Sequence, residues 1–469
     1  EGRLRDEDVD CNVFLMHSGG GIISLESAAD FPVRLVESGP AGGAVFAANI
    51  AARYGLGKVL SFDMGGTTAK ICLIKNQTPK TSRVFEVART YRFKKGSGMP
   101  ISIPVIDMVE IGAGGGSLAH VDAMRQIRVG PESAGSEPGP ACYGCGGDKP
   151  AVTDADLVLG KLDADNFAGG SIQLHKDQSV AALETVLGKT LDMDARTVAF
   201  GVAEVVDENM ANAARVHAVE NGEDLSQYTM IAFGGAAPLH AGRLCEKLGV
   251  KRMLVPPGAG VGSAIGFLRA PFSFEANRSD YMKLSEFDAP RIQILLAALQ
   301  EEATGFVRSC DAVAEILSEF KVYMRYSGQG WEIPVVLTRD QALNPDAATF
   351  ERLFEEDYAK LFGRTVQGLN IEITVWSVNA TTPPETVDKV AQHVGGTTAR
   401  MNGNGLFFDP ALDQFVSCSR YDRSKLEVGN FIEGPGVVFE DETTIIIPSS
   451  RNAIRQPDGC IDIMLKVKG

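Results

Sequence analysis

The sequence has 469 residues, 44% hydrophobic and 22% charged, with mean hydropathy near zero, which is ample core for two or three globular domains. A formal charge of −15 argues against nucleic acid as a partner, because phosphate backbones select basic surfaces. No apolar run has the length of a membrane span, residues 1–30 lack a basic stretch followed by an apolar one, and the 8 cysteines are scattered. A cytoplasmic chain with no membrane partner and no disulfide framework is the expectation.

In chain order, His17 in MHSGGG is a lone histidine beside a glycine turn, for which a hydrogen-bonded structural role is the default. Residues 34–46 place Ser38-Gly39 and Gly42-Gly43 before a small-residue helix that runs to Ala52. Glu37 and Ser38 there could reach a phosphate or a metal, but capping explains them equally well. The most informative stretch is KVLSFDMGGTTAKICLI, residues 58–74. Its β-branched and aromatic runs, Val59–Phe62 and Ile71–Ile74, read as strands joined by a turn at Gly65-Gly66. Glycine lets backbone N–H groups crowd toward an anion, Thr67 and Thr68 add hydroxyl donors, and Asp63 can hold Mg²⁺ through water. That combination suits a nucleotide phosphate with its metal; the alternative is a hairpin whose Asp63 caps its own turn.

Residues 106–122, IDMVEIGAGGGSLAHVD, carry Gly114, Gly115 and Gly116, which suggest backbone close to a ligand, or a hinge. Asp107, Glu110 and His120 flank that loop together with Asp122, as a candidate acid/base or metal cluster or, otherwise, as strand-end and cap residues. Cys142 and Cys145 lie in a glycine-rich loop without companions for a structural zinc site, so an ordered loop with inert thiols is expected. Asp154 and Asp156 read as caps of a following helix. Periodicity predicts helices over 196–221 and 289–320, the latter including Ile316. A strand, then Gly234-Gly235, then an Ala/Leu-rich helix is expected over 229–247. The glycine pair would let a planar group lie against the backbone, or would serve close strand–helix packing. Strands are predicted at 321–326, 332–337 and 369–380, with a helix from Ala347 to Phe362 after Asn344-Pro345-Asp346. Short β runs broken by Asn, Gly, Asp and Pro follow from about residue 383.

MHSGGG, VESGPAGGA, FDMGGTTAK, IDMVEIGAGGGSLAHVD, GPACYG, VTDADLVLGKLD, AFGGAAPLHA and VPPGAGVGSAIG occur in that order, followed by MRYSGQGWEIPV. Together they resemble the hydantoinase A/5-oxoprolinase family, which also holds the β subunits of acetone carboxylases, over essentially the whole chain. The resemblance implies an α/β fold with an actin/hexokinase-like (ribonuclease H-like) nucleotide-binding core over residues 1–285. An α+β segment at 286–382 and a small β-rich C-terminal domain at 383–469 would follow. It implies ATP and Mg²⁺ as cofactors, Asp63–Thr68 as the second phosphate loop with Lys70 close by, Asp63 as metal ligand and catalytic group, and Gly234-Gly235 beside adenosine. Family members carry another D-x-G-G-T loop in an N-terminal lobe; no copy precedes His17, so that lobe is expected on a longer chain or on another polypeptide. The implied activity is ATP-dependent hydrolysis of a cyclic amide such as a hydantoin or 5-oxoproline. The alternatives are ATP-dependent carboxylation of a ketone and nucleotide binding without turnover. The implied partner is a B-type subunit or fused B-type domain within a hetero-oligomer.

Overall fold

A computed structural model describes residues 2–9, 11–87 and 96–466. Two compact units interleave along the chain: Gly39–Arg269 with Val387–Gly469, and Glu1–Ser38 with Ala270–Thr386.

The first unit begins with α1 (Ser38–Tyr54), whose alanines 41, 44, 47 and 51 are buried. Next come β1 (Lys58–Met64) and β2 (Ala69–Lys75), the expected hairpin. β3 (Met108–Ile111) pairs antiparallel with β2, while β4 (Ser117–Val121) and β5 (Ile127–Ser133) form a separate ribbon. The helix α2 (Val152–Val158) precedes α3 (Ala195–Glu220), which matches the periodic stretch and takes its N-cap bond from Asp194. β6 (Thr229–Phe233), α4 (Ala237–Leu248) and β7 (Arg252–Val255) complete the series. The sheet order is β3-β2-β1-β6-β7, with β1, β6 and β7 parallel and β2 reversed. This is the five-strand core of the actin/hexokinase-like, ribonuclease H-like fold. β1 is buried on both faces, with Val59, Leu60 and Phe62 inaccessible, as a central strand covered by helices must be.

The second unit contains β8 (Ser273–Lys283), α5 (Ala289–Cys310), β9 (Leu317–Tyr326), β10 (Ile333–Leu337), α6 (Ala347–Phe362) and β11 (Ile371–Thr381). Its sheet runs β8-β11-β9-β10, antiparallel throughout. Ile292, Leu296 and Leu299 of α5, Phe350 and Phe354 of α6, and Trp376 of β11 form its core. Asp288 and Asp346 cap the two helices. The helix expected over 289–320 stops at Cys310, so Ile316 lies outside it. From Leu317 the burial alternates and the backbone pairs with β11, so strand pairing wins over helical continuation.

The chain then returns to the first unit. β12 (Gly403–Asp409), β13 (Gln414–Asp422), β15 (Gly436–Phe439) and β16 (Thr444–Ile447) form a four-stranded sheet, in the order β12-β13-β15-β16. β14 (Asn430–Glu433), β17 (Arg451–Arg455) and β18 (Ile461–Leu465) instead extend the first sheet as β7-β18-β17-β14. Residues 387–469 thus fall in one compact unit with residues 39–269. The free edge of β7 is covered by β18, which removes an unpaired ladder. Buried Arg451 donates to the Val250 and Lys251 carbonyls just beyond α4. Among the described residues no helix is long and apolar enough to cross a membrane.

Candidate functional site

Because β1 and β6 are parallel neighbours, the turns that leave their C-terminal ends lie side by side, where open α/β sheets bind ligands. Asp63, next to last in β1, registers with Phe233 on β6 and Lys70 on β2. Its Oδ2 accepts a hydrogen bond from Ser263 Oγ at 3.1 Å. Burial raises its carboxyl above the ordinary range, opposed by Lys70 and Ser263. Gly234 has φ +95°, and a Cβ there would lie 2.6 Å from Asp63 Oδ1 and 2.5 Å from the Met64 carbonyl oxygen, so only glycine fits. In the turn after β1, Gly65 N–H donates to Thr68 O at 3.1 Å. The N–H groups of Gly66 and Thr67 find no acceptor among the described residues, and a Cβ on Gly65 or Gly66 would meet nothing within 4 Å. Two uncommitted donors thus stand on an open turn beside a carboxylate, and donors on such a turn can receive an anion. Lys70 Nζ donates to Thr68 Oγ1 at 2.6 Å and lies 3.6 Å from Glu110.

The second glycine loop meets the first, but not as a phosphate donor. Gly114 N–H donates to Ser117 Oγ (2.8 Å), Gly115 N–H to Gly65 O (3.0 Å) and Gly116 N–H to Gly66 O (2.6 Å). All three amides are therefore spent, two of them on holding the turn after β1. A Cβ on Gly114 would sit 2.6 Å from Gly66 C and Thr67 N, which explains the glycine. Thr153 of α2 binds the Gly115 carbonyl through both its N–H and its hydroxyl, each at 2.8 Å.

The flanking acid/base candidates do not converge. Asp107 pairs with Lys80 at 3.6 Å, exposed Glu110 reaches the turn only through Lys70, and His120 is exposed on β4 opposite Arg128 of β5. Asp122 caps the turn between β4 and β5 by accepting from Met124 N and Gln126 N. Cys142 is buried and Cys145 exposed. Among the described residues no group of three or more His, Cys, Asp or Glu could hold a metal ion. His17 Nδ1 accepts from Gly19 N–H at 3.0 Å; burial, then Arg34, pushes its imidazole down to about 4.

Sequence reasoning missed a buried charge network behind the site. His240 of α4 bonds Asp207 of α3 through Nδ1 (2.8 Å) and Asp156 of α2 through Nε2 (3.1 Å), and Lys161 Nζ binds Asp156 at 2.8 Å. All four side chains are buried. Burial opposes the charge on His240, yet Asp156 and Asp207 together raise its pKa to about 9. Asp154 is no simple cap either: it accepts from Ala141, Cys142 and Ala151 N–H and from Ser179 Oγ, tying down the loop before α2. A histidine in an Ala/Leu-rich helix and the acidic pair in VTDADL were the available signals, and neither identifies its partners.

Residues 1–276 match the hydantoinase/oxoprolinase family, and residues 289–456 match the hydantoinase/oxoprolinase C-terminal domain. The chain belongs to the hydantoinase/oxoprolinase family. A relative of this family member, an uncharacterised protein of Methanocaldococcus jannaschii, is 34% identical over 98% of this chain and 66% of its own length. Caprolactamase subunit alpha of Pseudomonas jessenii is 30% identical over 95% of this chain and 64% of its own. The crystal structure of ATP-dependent caprolactamase from Pseudomonas jessenii aligns with a TM-score of 0.82 at 27% identity, covering 99% of this chain and 67% of that one. A nucleotide-free acetone carboxylase shares the fold, with a TM-score of 0.77 at 24% identity over 99% of this chain and 66% of that chain. The chain thus spans about two thirds of the length of the relatives it matches.

Proposed function

We propose that this chain is the nucleotide-handling part of an ATP-dependent cyclic amide hydrolase. The observation that carries this reading is the pair of free N–H groups at Gly66 and Thr67, beside Asp63 on an open turn at the ends of parallel strands β1 and β6. An amide carbonyl is a poor electrophile and its nitrogen a poor leaving group. Transfer of the terminal phosphoryl group of ATP to the amide oxygen releases ADP and yields an imidate phosphate. Water then adds to its carbon, the C–N bond of the ring breaks to free the amine and leave an acyl phosphate, and a second water hydrolyses that to the carboxylic acid and inorganic phosphate. The protein's part is to position the groups and to neutralise phosphoryl charge. In this reading Gly66 and Thr67 N–H and the Thr67 and Thr68 hydroxyls bind phosphate oxygens, while Gly114–Gly116 hold the turn in shape. Lys70, which already donates to Thr68 Oγ1, supplies positive charge alongside. Asp63 would hold Mg²⁺, which neutralises phosphate charge when bound; one carboxylate plus substrate phosphates is a normal donor set for this ion. A B-type subunit or domain is the proposed partner and supplies the remainder of the site for the ring.

A ketone carboxylase is the second reading, favoured by the likeness of this fold to acetone carboxylase. Oxygen phosphorylation serves a ketone enolate and bicarbonate as well as an amide. The deciding experiment is phosphate release from Mg·ATP by the full-length protein with its candidate partner. The panel is caprolactam, hydantoin, 5-oxoproline, and acetone or an aryl ketone with bicarbonate. Stimulation by a cyclic amide supports the hydrolase, and stimulation only by ketone with bicarbonate replaces it with the carboxylase. ATP binding without stimulation by any of them leaves a nucleotide-binding subunit.

A further inference from the structure

We propose that Glu442, in the turn between β15 and β16, is a specificity-determining residue of the nucleotide site, its carboxylate accepting hydrogen bonds from the ribose hydroxyls. The inference rests on the nucleotide reading above and adds to it a segment nearly 380 positions downstream of Asp63 in the sequence. The turn is closed by Glu440 N–H donating to Thr443 O at 3.1 Å and is anchored at both ends. At one end, buried Thr443 donates from Oγ1 to the Gly235 carbonyl at 2.8 Å, on the glycine pair that leaves β6. At the other, Glu440 accepts from Arg423 at 2.7 Å, and the same guanidinium donates to the carbonyl of Val255, the last residue of β7. Between these anchors the Glu442 stem lies on the glycine turn that follows β7. A Cβ on Gly260 would fall 2.2 Å from Glu442 Cβ and 3.2 Å from its Cγ.

Position along the sheet decides which part of a nucleotide this carboxylate meets. The phosphate turn leaves β1, the glycine pair leaves β6 and the Gly258–Gly260 turn leaves β7, in adjacent order. Strands lie about 4.8 Å apart, so the exit of β7 is about 10 Å across the sheet from the phosphates. A carboxylate against phosphate would repel it; one at this remove faces the uncharged sugar, whose hydroxyls are donors. Of the neighbouring acids, Glu440 is engaged by Arg423 and the Asp441 side chain lies beside Gly169, whereas Glu442 is exposed, lies on the Gly260 turn and has no hydrogen-bond or ion-pair partner among the described residues.

Calorimetric titration of the full-length protein with its candidate partner, and of the same assembly carrying Glu442→Gln, with Mg·ATP and Mg·2′,3′-dideoxyATP tests this, with melting temperature as the folding control. The expected result is ATP binding weakened about tenfold or more in Glu442→Gln, the usual size for losing a charge-assisted hydrogen bond. Binding of dideoxyATP and the melting temperature should be unchanged. Equal ATP affinity in the two proteins, or an equal loss with dideoxyATP, overturns the role of Glu442 while leaving the nucleotide site standing. Absence of ATP binding by the unmodified full-length assembly overturns both together.

Discussion

Asp63 closes a strand whose neighbours Val59, Leu60 and Phe62 are core, yet its own carboxylate contributes charge to an open turn rather than packing. Asp63→Ala should therefore abolish Mg·ATP turnover while shifting the melting temperature by only a few degrees; retained turnover would remove Asp63 from the site. Glycine substitutions separate support from contact. Gly114→Ala places a methyl 2.6 Å from the backbone of the phosphate turn, so it should raise the KM for ATP at least tenfold and cost about 1–3 kcal/mol in denaturant unfolding. Gly65→Ala meets nothing within 4 Å and should unfold like the parent protein. Cys145→Ser, on an exposed thiol, should change stability by less than about 0.5 kcal/mol. Zinc release together with a large fall in melting temperature would overturn that reading of the Cys pair.

Three helices meet at His240. Asp156 comes from α2, Asp207 from α3 and the histidine from α4, which begins just after the glycine pair. Thr153, also on α2, holds Gly115, so the network braces the helices whose starts frame both glycine loops. Removing one partner strands buried charge: His240→Leu should destabilise the protein by about 3–5 kcal/mol in denaturant titrations. The sign of the pH effect follows from the raised folded-state pKa. The stabilisation from protonated His240 is complete below about 6.5 and is lost as the pH rises through about 9. The span between these values corresponds to about 3 kcal/mol. Unfolding free energies measured from pH 6 to 9.5 should fall accordingly, and a flat profile would show that His240 is neutral in the folded state. Asp156, held low because Lys161 and His240 outweigh the effect of burial, gives the opposite dependence in acid.

At the scale of the whole molecule, residues 387–469 fall in the same compact unit as residues 39–269. β18 exists by pairing with β7, and Arg451 is buried against carbonyls at 250 and 251. Expressed alone, residues 387–469 should show no cooperative thermal transition by calorimetry; a sharp transition would support a separate C-terminal domain. Much of the fold was legible in advance, because hairpin chemistry at Gly65-Gly66, the helix start at Asn344-Pro345-Asp346 and the period of α3 are all local. The end of α5 was not. Apolar spacing runs on past Cys310, and only pairing of Leu317 with Thr381 shows where the strand begins.

The same division separates what the sequence by itself determined from what the tertiary structure decided. Local pattern and ordered motifs identified the strands, the glycine turn after Asp63 and the family. They could not tell that the amides of Gly114–Gly116 are consumed, that His120 is exposed away from the turn, or that Glu442 and Thr443 lie against the glycine turns of β6 and β7. Those are facts of long-range pairing. Whether an N–H is free for a ligand depends on which distant carbonyl reaches it, and the register of β18 on β7 joins segments about 200 residues apart whose local composition carries no record of each other.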